Sequence, residues 1–120
     1  MEKSKIYKNL PILIKSILLT SEGWLVGGAP WDLMNDRVPK DYDVIVPSAE
    51  LFQIVVKQLS SYDNLSTTIN TFGGLKFTDK DVQGETLDIW CEELDHFIKT
   101  ANKFGYAFNL KRNVLIVNHD

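Results

Sequence analysis

The stretch KDYDVIVP (40–47) sets two aspartates, one residue apart, at the mouth of an apolar run. Side chains alternate across a strand, so Asp41 and Asp43 share one face while Tyr42, Val44 and Val46 share the other. Pro47 cannot donate to a sheet ladder and ends the run. The apolar set belongs against helices, which leaves the aspartates on the open face. TLDIWC (86–91) repeats the pattern, with Leu87, Ile89 and Cys91 pointing one way and Thr86, Asp88 and Trp90 the other. If both apolar sets rest on the same helices, Asp88 joins Asp41 and Asp43. In LKFTD (75–79) the same parity turns Leu75 and Phe77 inward and Lys76 outward.

Around these strands the chain reads as alternating helices and strands. Ile6, Leu10, Leu13, Ile14, Ile17 and Leu18 recur at helical spacing. Pro11 fits the first turn of a helix that starts near Asn9 or Leu10 and stops by Gly23. WLVGG (24–28) reads as a short buried strand closed by two glycines, and Pro30 opens a short helix over PWDLMND. Ser48 is placed to cap a helix running to about Ser60, with Phe52, Val55, Val56 and Leu59 as its stripe. STTINT (66–71) is a further strand, and Gly73-Gly74 and Gln83-Gly84 mark turns. A helix is expected from about Glu93 to Phe104, with Leu94, Phe97, Ile98 and Ala101 inward and Gly105 as C-cap. YAFNL and VLIV, parted by Lys111, Arg112 and Asn113, form a hairpin. The expected fold class is α+β, one domain over residues 1–120 built on a mixed sheet with helices mainly on one face.

Composition narrows the function classes. At 120 residues, 44% hydrophobic and 24% charged, the sequence suits an ordinary globular core. A net charge of −3 argues against a broad basic platform for nucleic acid, leaving Lys111 and Arg112 as a small basic spot. Cys91 is the sole cysteine, so no internal disulfide forms and a reducing interior suits the chain. PILIKSILLT is too short to span a bilayer, and the expected location is the cytoplasm, with no membrane partner. His96 and His119 have no ligand-like spacing to Cys91, which speaks against zinc, and no serine or cysteine has an evident base.

Three carboxylates on one open face repel each other unless a cation joins them. Mg²⁺ takes oxygen ligands, commonly one or two carboxylates plus substrate phosphates, and a pair of such ions can hold both oxygens of a phosphoryl transfer. An isolated Asp-x-Asp is also common as a strand opening that faces water. Gly27 and Gly28 bear on the choice. They follow a strand and precede a helix, where backbone lacking Cβ can approach a phosphate.

The ordered set LVGGAPWDLMNDRVPKDYDVIVP followed by LDIW resembles the nucleotidyltransferase superfamily typified by DNA polymerase β. The likeness is closest to the head domain of tRNA CCA-adding enzymes and bacterial poly(A) polymerases. Gly27 and Gly28 match its glycines, Asp32 the acid of its Arg-Asp pair, Asp41 and Asp43 its metal ligands, and Asp88 its third carboxylate. Trp31 stands where that pair has its arginine. No later Arg-Arg-Asp-like segment follows, nor is there chain for the neck and body that select bases and hold RNA. The resemblance therefore implies a minimal, stand-alone head with a nucleotidyltransferase-like sheet.

It further implies two Mg²⁺ ions on Asp41, Asp43 and Asp88, a nucleoside triphosphate as substrate, and an RNA (tRNA-like), protein or small-molecule hydroxyl as acceptor. Gly27 and Gly28 would cradle phosphates, and Lys76 either meets a phosphate or is a solvated strand lysine. Among the tryptophans that could stack on a base, parity favours Trp90. Arg37, in the loop before the strand, is a further candidate for substrate contact. The alternatives are a nucleotide-binding module with weak chemistry, or an interaction protein such as the small partner of a toxin–antitoxin pair.

Overall fold

Strand alternation and helical stripes assemble into one mixed sheet. The computed structural model describes residues 2–71, 73–80, 86–101 and 105–117. Among them the elements run α1 (Glu2–Asn9), α2 (Ile12–Ser21), β1 (Trp24–Val26), α3 (Ala29–Met34), β2 (Asp41–Val46), α4 (Ala49–Ser60), β3 (Leu65–Ile69), β4 (Leu75–Asp79), β5 (Thr86–Cys91), α5 (Leu94–Thr100), β6 (Tyr106–Asn109) and β7 (Val114–Val117). The strand order is β3-β4-β5-β2-β1-β6-β7. β2 and β5 are parallel, and the other neighbours are antiparallel.

The main core lies where parity put it. Tyr42, Val44 and Val46 of β2, Leu87 and Ile89 of β5 and Phe77 of β4 bury against Ile14, Ile17 and Leu18 of α2 and Val55 and Leu59 of α4. Ile6 of α1 and Ala29, Leu33 and Met34 of α3 complete that layer, so α1 to α4 share one face of the sheet. Ser48 caps α4, its Oγ accepting from the Leu51 N–H at 3.3 Å.

Three expectations need correction. The helix expected from near Asn9 or Leu10 is α2, which starts only at Ile12, and an unexpected helix, α1, precedes it. Pro11 has no N–H and biases Leu10 away from helical backbone, so α1 ends at Asn9 and α2 begins at Ile12 with Pro11 as its N-cap. Asn9 fixes the break by donating from Nδ2 to the Leu33 carbonyl at 2.8 Å and to Asp36 Oδ1 at 2.9 Å. α5 is shorter than expected. It ends at Thr100, with Ala101 already extended, so Gly105 is not its cap, and residues 102–104 lie outside the described residues. A helix this short depends on packing, and only Leu94 and Phe97 pack on the second cluster. Cys91, expected inward, is exposed at the last position of β5. The expected turn at Gln83-Gly84 also falls outside the described residues. No helix among the described residues is long and apolar enough to cross a membrane.

Candidate carboxylate site

Register decides whether the three acids meet. β2 pairs with β5 so that Asp43 lies beside Asp88 and Asp41 beside Thr86. On β5's other side Lys76 of β4 is the partner of Asp88, and on β2's other side Val26 of β1 is the partner of Asp43. Neighbouring strands sit about 4.8 Å apart, so Lys76, Asp88 and Asp43 form a continuous row that stops at the end of β1. Gly27 follows Val26 directly, with φ at +75°, a conformation that suits glycine. A Cβ at Gly27 would lie 2.9 Å from Asp43 Oδ2, so the glycine also makes room for the carboxylate. At Gly28 a Cβ would meet nothing within 4 Å, and this side of the turn is open.

Each acid has different surroundings. Asp88 is 7% exposed; its Oδ1 accepts from Asn70 Nδ2 at 3.4 Å and its Oδ2 lies 4.0 Å from Lys76 Nζ. Asp41 is exposed and accepts a hydrogen bond from Thr86 Oγ1 through Oδ1. Asp43 is half-buried, and among the described residues nothing hydrogen-bonds its carboxylate. Burial, then the charge of Asp88, then that of Asp41 push its pKa up from 3.8 to about 6, with Lys76 pulling the other way. The repulsion foreseen within Asp-x-Asp is present, and Asp88 contributes more to it than Asp41 does.

The other candidates are more scattered. Asp32 is half-buried in the first turn of α3, and its carbonyl accepts from the Arg37 N–H at 2.8 Å, tying down the loop that leads to β2. Trp90 shares the acid face, yet it is 4% exposed and packs with Trp24, Val26, Ile45, Ala107 and, from α5, Leu94 and Phe97. Its ring lies 6.2 Å from Phe97, and its Nε1 donates to Glu92 Oε1 at 2.6 Å. It therefore offers no face to a base. On the acid side of the sheet Asp41 is exposed, Asp43 half-buried and Asp88 buried, and further along β5 the face is covered by α5.

Sequence reasoning missed Asn70 and Thr86, the groups that hold Asp88 and Asp41. Thr86 was placed on the acid face by parity, but its partner depends on the β2–β5 register. Asn70 lies just beyond β3 and also accepts from the Gly74 N–H at 2.8 Å, a turn geometry with only the nearby Gly-Gly as signal.

The donor chemistry fits a hard cation, because the row supplies carboxylate oxygens and Asp43 is held against its charge. Among the described residues no three His, Cys, Asp or Glu side chains gather tightly enough to hold an ion as they stand. Asp41 accepts its hydrogen bond from Thr86. A cavity of about 140 Å³ is lined by Ile14, Tyr42, Phe77 and Leu87 of the helix-packed side together with Asp79 and Thr86. Comparison of the chain with models of protein families, with curated proteins and with solved structures finds no match in any of the three.

Proposed function

We propose that the chain is a Mg²⁺-dependent nucleotidyltransferase that moves a nucleoside monophosphate from a triphosphate to a hydroxyl of RNA, protein or a small molecule. The observation that carries this reading is the pairing of Asp43 with Asp88 on adjacent parallel strands, beside a glycine turn that leaves space for the carboxylate. Asp41, Asp43 and Asp88 would hold the cation. When bound, Mg²⁺ neutralises triphosphate charge and makes an attacking hydroxyl more acidic.

The chain's own residues do the rest. Gly28 leaves the backbone after β1 open where phosphates would lie, and Gly27 makes room for the Asp43 carboxylate. Lys76, in register with Asp88, sets a positive charge at the far end of the row. Asp88, which accepts a hydrogen bond from Asn70, would take the hydroxyl proton. The acceptor oxygen bonds to the α-phosphorus, the bond to the pyrophosphate oxygen breaks, and pyrophosphate leaves.

Pyrophosphate release, measured with Mg²⁺, each triphosphate and candidate acceptors, tests the reading. Asp43→Ala is expected to lower turnover about a hundredfold or more. Equal turnover by wild type and Asp43→Ala, or no nucleotide binding by the wild type, overturns it. The bond from Thr86 to Asp41 favours one second reading, a nucleotide-binding module with weak chemistry. Nucleotide binding without pyrophosphate release identifies that case.

A further inference from the structure

We infer that the stacked pair Trp31–Tyr106 is a shelf for the base of the nucleoside triphosphate, an inference that rests on reading the acid row and diglycine turn as a nucleotide site. Trp31 lies in the first turn of α3, three residues beyond Gly28. Tyr106 opens β6, the neighbour of β1 on the side away from β2. The two rings stack with centroids 5.7 Å apart and planes 17° from parallel.

Trp31 is the exposed one of three tryptophans, at 46% against 6% for Trp24 and 4% for Trp90. An indole in water forgoes the stabilisation that burial gives it. Here Tyr106 already fixes the ring, so a third ring can stack without a further ordering cost. The matching ligand is flat, aromatic and uncharged at its contact face, as a nucleobase is.

The position suits the base of a nucleotide whose phosphates meet the acid row. Tyr106 packs with the helix-side core and Asp43 lies on the opposite face. The two faces meet at the rim where β1 turns through Gly27 and Gly28, and a Cβ at Gly28 would meet nothing. A nucleotide laid over this open rim has its phosphates toward the carboxylates and its base toward Trp31.

The burial of the other two tryptophans makes emission quenching a direct readout of this shelf. The full chain is titrated with Mg²⁺ and each of the four ribonucleoside triphosphates, and separately with Mg²⁺ and inorganic tripolyphosphate, which has no base. Heat and tryptophan emission are followed together. The expected result is that nucleotides quench emission while tripolyphosphate binds without quenching. Trp31→Leu, which keeps apolar bulk but has no π-face, should weaken nucleotide binding about tenfold and leave tripolyphosphate binding unchanged; Trp31→Phe should retain most of the nucleotide affinity. Wild-type nucleotide affinity in Trp31→Leu overturns the shelf and leaves the nucleotide reading standing. Failure of the wild type to bind either ligand overturns both.

Discussion

Asp43 is where this fold departs most from stability as its first demand. Its carboxyl is raised to about 6 because burial, Asp88 and Asp41 all oppose its charge. A carboxyl with a folded pKa above its unfolded value holds its proton more tightly when folded. Its contribution to stability is therefore full below about pH 4 and declines as pH rises through about 6. At full strength the shift corresponds to about 3 kcal/mol, and screening at a partly exposed group reduces that to roughly 1–2 kcal/mol. Asp43→Asn is expected to be more stable than wild type by about that amount at pH 7 and to match it near pH 4. Chemical denaturation at the two pH values checks this. A variant less stable than wild type at pH 7 would show that the carboxylate is a structural partner rather than a poised ligand.

At the scale of elements, the β1–α3 turn gives a test with its own control. Gly27 has positive φ, and an added Cβ would press on Asp43 at 2.9 Å, whereas Gly28 has φ −80° and open space. Gly27→Ala should cost about 1–3 kcal/mol and displace the Asp43 carboxylate, while Gly28→Ala should cost well under that, since α3 loses at most a weak cap. Thermal unfolding of the two single variants checks this, and equal losses would mean that neither the positive φ nor the contact with Asp43 sets Gly27 apart. The sheet around this turn was largely legible because period-2 parity is a local property. It assigned Tyr42, Val44 and Val46 to the helices and Asp41, Asp43 and Asp88 to the other face, as found. What parity cannot encode is which element covers a face. Trp90 reads as available on β5, but α5 lies over it. α1 escapes the reading for a related reason: Ile6 is in phase with the α2 stripe, yet it sits on a separate helix and is buried alongside α3 residues across a chain bend at Pro11. Trp31 and Tyr106 are 75 residues apart, so their stacking could not be read from spacing.

For the whole molecule, the acid row predicts a ligand-linked change in stability. A cation that binds the folded row but not the unfolded chain adds about 2.7 kcal/mol at a hundred times its Kd. For a domain of this size that corresponds to a rise in Tm of about 10 °C. The gain depends on ionised carboxylates, so it should be large at pH 7.5 and shrink at pH 5, where Asp43 is mostly protonated in the folded state. Asp43→Asn should lose the gain at both pH values while starting from a higher Tm without metal. Those opposite signs separate specific binding from the screening that Mg²⁺ gives any acidic protein, because the net charge of −3 changes by only one unit in the variant. Scanning calorimetry of both proteins against MgCl₂, with NaCl matched for ionic strength, makes the comparison. Equal Tm rises in wild type and variant would reduce the effect to screening and leave the paired aspartates without a cation to hold.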